Sequence, residues 1–150
     1  MYTDLLLAIA HHLLIFALAA VIATELVLVR PGLKAETLGL LGRIDGAYGM
    51  IAMLIILVGI GRVFFGLKGW EYYIYYWAFW AKMASFLAVG LLSIRPTMRI
   101  IGWRKAATGN PGFTVPDAEI GSMRSYLHAE AMVFILIPAF AAVMARGIGY

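Results

Sequence analysis

The stretch Leu5–Val29, which reads LLLAIAHHLLIFALAAVIATELVLV, decides the fold of this chain. Its only polar residues are His11, His12, Thr24 and Glu25. About 20 mostly apolar residues, each rising about 1.5 Å along a helix, suffice to cross the hydrocarbon core of a bilayer. The segment 30–32, Arg-Pro-Gly, follows with a charge and two helix breakers. The stretch therefore predicts a membrane-spanning helix.

Three further apolar segments have a similar length. With the first helix at about 5–29, they lie at about 44–65, 79–101 and 126–145. Pro96 and Pro138 lie inside the third and fourth segments, where neighbouring helices tolerate a proline in a bilayer. The pattern predicts an all-α fold, in which residues 1–150 form one integral membrane domain, a four-helix bundle that runs up-down-up-down.

The composition agrees with a membrane protein. Hydrophobic residues make up 63% of the 150 residues and charged residues 13%, and the mean hydropathy is +0.90. A soluble domain is roughly half apolar and about a quarter charged, so a water-soluble globular protein is excluded, and so is a disordered chain. The lack of cysteine excludes disulfides, thiolate metal sites and cysteine nucleophiles. In a membrane protein the positions of the charges matter more than their sum. The net charge of +4 therefore does not indicate a nucleic-acid partner, and none is expected.

The distribution of Lys and Arg predicts the orientation. The two loops after the first and third helices carry eight basic residues: Arg30, Lys34, Arg43, Arg95, Arg99, Arg104, Lys105 and Arg124. The opposite side carries only Lys68 and Arg146, and Asp4 stands where a signal peptide would have a basic residue. The positive-inside rule therefore predicts a multi-pass protein of the bacterial inner membrane with both termini outside, in the periplasm.

The segment between the second and third helices is unusually aromatic. It contains Trp70, Tyr72, Tyr73, Tyr75, Tyr76, Trp77, Phe79 and Trp80. Such residues form belts at the membrane surface, sometimes on a short helix that lies in the interface. They could equally form a lid over a planar ligand such as a quinone or porphyrin, and the two interpretations are compatible.

The first helix carries a polar stripe. Asp4, His11, Leu18 and Glu25 are each seven residues apart, and a seven-residue step drifts by only about 20° around a helix. This stripe is predicted to face the bundle interior. His12 points about 100° away from this stripe. It lies on a face whose small residues predict close packing against another helix.

Near the outer surface, the ionisable residues are mainly cations. The basic residues are His11, Arg62, Lys82 and Arg146. Met83 and Met144 lie at the same depth, with Trp80 and the other aromatics above. A histidine in a membrane helix is more often a hydrogen-bonded packing residue than a ligand. The sharper hypothesis is a haem b site, in which His11 ligates the iron and Arg62 and Lys82 pair with the propionates. The sixth ligand would be Met83, Met144, Lys82, water, or His12 of another subunit.

Near the cytoplasmic surface, acids and arginines are balanced. The predicted structural ion pairs involve Glu25, Asp45, Arg95, Arg124, His128 and Glu130, with Arg43 and Arg99 nearby. Buried charges are normally paired, so Glu25 and Glu130 are expected to face arginines of the two basic loops.

Four stretches carry a resemblance to a known family. They are HHLLIFALAAVIATELVLVRPG, GRIDGAYG, WAKMASFLAVGLLSIRPT and EAMVFILIPAFAAVMARG. Together they resemble a bacterial family of uncharacterised four-helix membrane proteins. More distantly, the chain is similar to HemJ, a small four-helix protoporphyrinogen oxidase, and to CopD-like membrane domains. His11, Lys82 within the Trp-Ala-Lys-Met segment 80–83, and Glu130 within the segment 128–130 match HemJ-like positions. That similarity implies a b-type haem held from the first helix and redox chemistry at the membrane.

Three functions remain open at the level of sequence. The leading hypothesis is a haem-b protein that passes electrons between a quinone or porphyrin and a membrane redox partner. The second is a non-enzymatic subunit or assembly factor of a larger membrane complex, and self-association is open as well. The third is a small transporter with Glu25, Asp45 and Glu130 as a proton relay, but the sequence lacks the repeats and the paired broken helices of transporters.

Overall fold

The computed structural model describes residues 2–150, and six helices account for most of them. They are α1 (Tyr2–Leu28), α2 (Ala35–Phe65), α3 (Gly69–Ile74), α4 (Trp77–Ala107), α5 (Asp117–Phe134) and α6 (Leu136–Arg146). Within this range there is no strand, and Lys34 and Thr114 form one isolated bridge. The all-α fold class is confirmed.

Four segments are long and apolar enough to span a membrane: α1, α2, α4, and α5 together with α6. Consecutive segments run antiparallel. Leu7 near the start of α1 lies beside Gly61 near the end of α2. Thr97, late in α4, bonds to Asp45, early in α2. Arg99, late in α4, pairs with Glu119 at the start of α5. α1 packs along α2, and α4 packs on α5 and α6. The protein is therefore a multi-pass membrane bundle, and its outer faces contact the lipid bilayer.

Three helices extend beyond the apolar runs that predicted them. α2 begins at Ala35 rather than near residue 44, α4 continues to Ala107 rather than 101, and α5 begins at Asp117 rather than near 126. These extensions are rich in charged residues, so an apolar run does not reveal them. Pro96 lies buried inside α4 and does not end it.

The three extensions meet at one end of the bundle. With the adjoining loops they form a unit that we call the basic cap, residues 29–43 and 100–127. Its core consists of Val29, Leu33, Leu38, Leu41, Ile100, Trp103, Val115, Ile120, Met123 and Leu127. Two backbone hydrogen bonds join its loops, from Val115 N–H to the Leu33 carbonyl (3.0 Å) and from Ala35 N–H to the Phe113 carbonyl (3.1 Å).

The last membrane segment is broken at Ile135. Pro138 has no N–H to donate to the Phe134 carbonyl, and its ring would crowd that carbonyl in a regular helix. α5 therefore ends at Phe134, and α6 resumes at Leu136.

The opposite end from the basic cap is closed by α3 and its neighbours, residues 66–80, which we call the aromatic roof. The buried Tyr76 hydroxyl lies 2.8 Å from the Ile148 carbonyl oxygen and 3.0 Å from that of Val143, and it shares its proton between them. The Tyr72 hydroxyl donates to the Met144 carbonyl at 2.8 Å. Burial raises the pKa of the Tyr76 phenol, so it remains a donor. These bonds fasten the roof to the end of α6.

An apolar layer separates the two ends of the bundle. Its buried members are Leu18, Ile22, Tyr48, Ile55, Val89, Phe134 and Ile137. These residues come from all four membrane segments, so the layer fixes the relative positions of the helices at mid-membrane. It keeps the polar groups under the roof apart from those next to the basic cap.

Candidate functional site

A cavity of about 560 Å³ lies directly beneath the aromatic roof. α1 contributes His11, α2 contributes Gly59 and Arg62, and α4 contributes Lys82. The remaining polar and aromatic lining includes Lys68, Tyr72, Tyr73, Phe79, Met83, Phe86 and Met144. Met144 belongs to α6, so four helices and the roof bring together residues that are far apart in sequence. We call it the cationic cavity.

His11 lies at the wall between α1 and α2. Its ring is half-buried, and its Nδ1 is buried without a hydrogen-bond partner. Gly59 faces this ring, since a Cβ there would make an ordinary van der Waals contact at 3.6 Å from His11 Cε1. Further along the same stripe, Leu18 is 0% exposed and Glu25 is 2% exposed. The stripe therefore faces inward, and it presents an imidazole to the cavity.

His12 lies on the opposite side of α1. It is exposed, and its Nδ1–H donates to the Ala8 carbonyl within the same helix at 2.6 Å. The face was expected to be closely packed, but Phe16 and Ala23 on it are exposed as well. That expectation holds only in part: Ala8 and Ala19 of this face are half-buried and Ala19 packs against the apolar layer, whereas Phe16 and Ala23 lie on the lipid side.

The charged groups of the cavity are all basic. No Asp or Glu is found among its lining residues within 2–150. Arg62 Nε is buried without a partner. Lys82 Nζ lies 5.6 Å from the Phe79 ring centroid, and Lys68 Nζ lies 4.2 Å from that of Tyr72. Unneutralised cations in a water-poor site attract an anionic group, which makes the cavity suited to an amphipathic anion.

Most of the residues predicted for this site line it, but not all. Met83 and Met144 belong to the wall. Trp80 does not: it is more than half exposed, and its Nε1–H donates to the Ile74 carbonyl at 2.9 Å. Arg146 is exposed and lies outside the lining. Both side chains lie on the outward faces of their helices.

Sequence reasoning overlooked Lys68 and Phe86 as lining residues. A signal for Phe86 was present, since Phe79, Lys82 and Phe86 have the spacing i, i+3, i+7 and so share one face of a helix. Lys68 gave no such signal, because it lies in the turn before α3.

The predicted ion pairs near the basic cap are not formed. Among residues 2–150 the one ion pair joins Arg99 to Glu119 at 2.7 Å. Arg124 Nη1 instead donates to the carbonyls of Leu26 (2.9 Å) and Val29 (2.7 Å). The last carbonyls of a helix have no partner within it, so they compete with carboxylates for an arginine.

The other predicted pairing residues also have different neighbours. The Arg95 guanidinium lies 5.3 Å from the Tyr126 ring centroid. His128 is exposed, and its Nδ1–H donates to the Arg124 carbonyl at 2.7 Å. Asp45 accepts a hydrogen bond from Thr97 Oγ1 at 2.7 Å. Uncharged partners thus take the place of the expected arginine–carboxylate contacts.

Glu25 and Glu130 are buried inside the bundle. Glu130 is 0% exposed, and neither of its carboxyl oxygens has a hydrogen-bond partner among the described residues; Glu25 Oε1 has none either. Both lie within electrostatic range of Asp45, and Tyr48 lies next to Glu130. The interior next to the cap therefore gathers acids without a neutralising cation.

A second cavity, of about 570 Å³, follows the line where α2 faces α4. Asp45, Tyr48, Ser93 and Thr97 line its end toward the basic cap. It shares Ile56, Met83 and Phe86 with the cationic cavity. We call it the seam cavity, and the shared residues show that the two cavities are neighbours along one groove.

Access to the cationic cavity is lateral. Among its lining residues, Ile56, Ile60 and Phe64 are exposed on the lipid side of α2. The fastened aromatic roof covers its end toward the membrane surface. A ligand would therefore enter from the bilayer rather than from the aqueous phase.

Within residues 2–150, no group of three or more His, Asp or Glu residues is arranged to hold a metal ion. A haem iron has a different requirement, since the porphyrin occupies most of its coordination positions and one axial side chain can hold it. His11 is the histidine that the cationic cavity offers for that role.

Comparison with known proteins places the chain in a family. No curated protein and no solved structure matches it. The distant similarity to HemJ and CopD-like domains therefore stays a prediction. A family model described as predicted membrane protein (DUF2214) matches residues 3–149, which is almost the whole chain. The chain therefore belongs to this family of predicted membrane proteins, DUF2214.

Proposed function

We propose that the protein binds haem b in the cationic cavity and acts in electron transfer or substrate oxidation within the bacterial inner membrane. The observation that carries the proposal is the grouping of a free imidazole, two inward cations and flanking aromatic rings in one cavity that opens to lipid. Haem b combines an iron, a planar apolar ring and two carboxylates, so each part has a counterpart in this wall.

The size and chemistry of the lining fit such a group. Small-molecule sites commonly measure about 300–1,000 Å³, a range that includes this cavity. His11 would supply the axial nitrogen. Arg62 and Lys82 would neutralise the propionates, and Phe79 and Phe86 would contact the ring. Met83 and Met144 also line the wall and are candidates for the sixth position.

Once bound, haem would supply one-electron chemistry, and the protein would supply orientation and electrostatics. The roof would restrict water, because the Tyr72 and Tyr76 hydroxyls hold it against α6. The lipid-side opening would admit a quinone or porphyrin from the bilayer. These roles use residues of this chain alone and require no partner subunit.

The adjacent histidines provide the sharpest test. His11→Ala should abolish the Soret band of protein purified after haem-supplemented expression, because it removes the axial nitrogen. His12→Ala is the matched control and should keep the spectrum, since His12 faces lipid and bonds only to its own helix. Loss of colour in His12→Ala alone would contradict the assignment.

The cations give a second, graded readout. Arg62→Ala and Lys82→Ala should weaken haem retention without removing the axial band, because they act on the propionates. Arg146→Ala, at the same end but outside the lining, should retain haem like the unchanged protein. A protein that stays colourless in every form would refute haem binding and favour the role of a non-enzymatic subunit or assembly factor.

A second candidate function is proton-coupled transport. The observation that favours it is the burial of Glu25 and Glu130 without partners, close to Asp45. Carboxyl groups inside a membrane bundle often belong to proton pathways. Transport would be supported if proteoliposomes take up protons and Glu130→Gln abolishes this uptake. The same substitution should leave the haem spectrum unchanged.

A further inference from the structure

The seam cavity has features that the proposed haem site does not use. It lies between α2 and α4, and its end next to the basic cap is polar, with Asp45, Tyr48, Ser93 and Thr97. The rest of its wall is apolar. Asp45 and Arg62 are seventeen residues apart on α2, so the polar ends of the seam and cationic cavities are separated by about 26 Å along the helix.

The mouth of the seam cavity opens to the bilayer. A Cβ added at Gly46, Gly49 or Gly90 would meet nothing within 4 Å, and all three glycines line the cavity. The lining residues Leu87 and Leu91 are also exposed. A ligand of this cavity therefore has to be soluble in lipid and reach the site by lateral diffusion.

The polar end favours an uncharged headgroup with both donors and acceptors. Asp45 accepts one hydrogen bond, from Thr97, and its carboxylate can accept more. The Tyr48 hydroxyl lines this end beside Glu130, and with a ring bound it would donate to a ring oxygen in place of that carboxyl group. No Lys or Arg lines the cavity within residues 2–150, so a phosphate or carboxylate headgroup would meet Asp45 without a neutralising charge.

The apolar part of the groove continues toward the cationic cavity through Ile56, Met83 and Phe86. A linear hydrocarbon tail would lie along this path, and a ring would rest at the polar end. The length and chemistry match a ring with oxygen substituents and a long tail. A compact lipophilic amine fits less well, because it would contact only the Asp45 carboxylate and leave the rest of the groove unused.

We infer that the seam cavity binds a membrane quinone or quinol, with the ring oxygens between Asp45 and Tyr48 and the tail along the groove between α2 and α4. The polar end of this site is separate from the haem cavity, and the tail path meets that cavity at Ile56, Met83 and Phe86. Occupancy of the polar end does not require haem. The Asp45 carboxylate accepts from a quinol hydroxyl, and the Tyr48 phenol donates to a ring oxygen. Thr97 holds the Asp45 carboxylate in place for this contact.

Binding is tested with the full chain in nanodiscs made of quinone-free phospholipid. The probe is a benzoquinone with a photoreactive alkyl tail, whose affinity is measured by titration and whose cross-links are mapped by mass spectrometry. Gly90→Leu places a side chain in the mouth of the cavity and should weaken binding by about tenfold or more. Gly102→Leu is the matched control on α4, exposed and outside the lining, and should leave the affinity unchanged.

Two more variants make the outcome decisive. Tyr48→Phe removes one donor and should weaken binding by about twofold to tenfold, which keeps the test valid if Gly90→Leu does not fold. His11→Ala should bind the probe normally, so a failed haem proposal would not affect this result. Equal affinity of Gly90→Leu and Gly102→Leu would overturn the site. So would full competition by the alkyl tail without its ring, or by a lipophilic amine.

Discussion

Arg124 bonds to backbone oxygens where the sequence suggested carboxylates. Its Nη1 contacts two carbonyls at the end of α1, those of Leu26 and Val29. A cation at the C-terminal end of a helix also interacts favourably with the helix dipole. One side chain from α5 thereby ties the end of α1 to the basic cap.

Arg124→Met should lower the free energy of unfolding in detergent by about 2–4 kcal/mol, because two charge-assisted hydrogen bonds are lost and two carbonyls remain without partners. Arg95→Met is the matched control. Arg95 is exposed and lies over the Tyr126 ring, so its loss should cost no more than about 1 kcal/mol. Thermal unfolding followed by circular dichroism would compare the two, and equal losses would contradict the anchoring role.

The same region shows what a sequence can and cannot tell about single side chains. The seven-residue spacing predicted that His11 and Glu25 face inward, and the structure places both on the inner side of α1. The partners of Glu25 and Glu130 were predicted incorrectly. Ionisable residues are visible in a sequence, but the free carbonyls at a helix end, which bind Arg124, are not.

α3 is held in place by tyrosine hydroxyl groups, one within the helix and one just after it, together with the packing of their rings. The helix has only six residues, too few for stability on its own. Tyr76 and Tyr72 bond to carbonyls at the end of α6, and Tyr72 also stacks on Tyr150 with ring centroids 4.8 Å apart. The roof over the cationic cavity therefore depends on contacts with the C-terminal segment.

Tyr76→Phe should loosen this roof. The lost hydroxyl contacts the Val143 and Ile148 carbonyls, and its removal should cost about 1–2 kcal/mol locally. Hydrogen–deuterium exchange in residues 66–76 and 143–150 should then become about tenfold faster. Tyr75→Phe provides the control, since Tyr75 is 79% exposed and should leave exchange unchanged. Equal exchange in both variants would show that ring packing alone holds the roof.

The helices could be recognised from hydropathy, but their full lengths could not. Apolar runs located all four membrane segments and the aromatic run between two of them. They omitted the first nine residues of α2 and of α5. Those turns are amphipathic and pack only when the loops bring them together, so their helical state depends on tertiary contacts. The cationic cavity could be predicted in part, because the stripe on the first helix indicated His11 and the position of Lys82 near the outer surface indicated a cation at the same depth.

For the molecule as a whole, the basic residues predict which side of the membrane each end occupies. The cap contains Arg30, Lys34, Arg43, Arg104, Lys105 and Arg124. From these residues the positive-inside rule predicts a cytoplasmic cap and both termini outside, which stays a prediction.

A reporter that is active only in the cytoplasm should therefore be silent when fused after Tyr150 and active when inserted at residues 108–112. Insertion in that turn should be tolerated, because Gly109, Asn110 and Gly112 are exposed. The opposite pattern would invert the orientation, and haem or quinone binding would then face the other leaflet.

The length of α2 has a consequence for how the protein responds to its surroundings. Its 31 residues extend over about 46 Å, whereas the hydrocarbon core is about 30 Å thick. The surplus lies in the basic cap, whose core is kept from water by the ordinary hydrophobic effect, while the rest of the bundle is surrounded by acyl chains. Urea weakens the hydrophobic effect that stabilises the cap, because it acts through water. It has little effect on the helices that acyl chains surround. Denaturant would thus unfold the cap while the transmembrane portion stays folded, and the protein would unfold in two stages, beginning at the end that carries the basic cap.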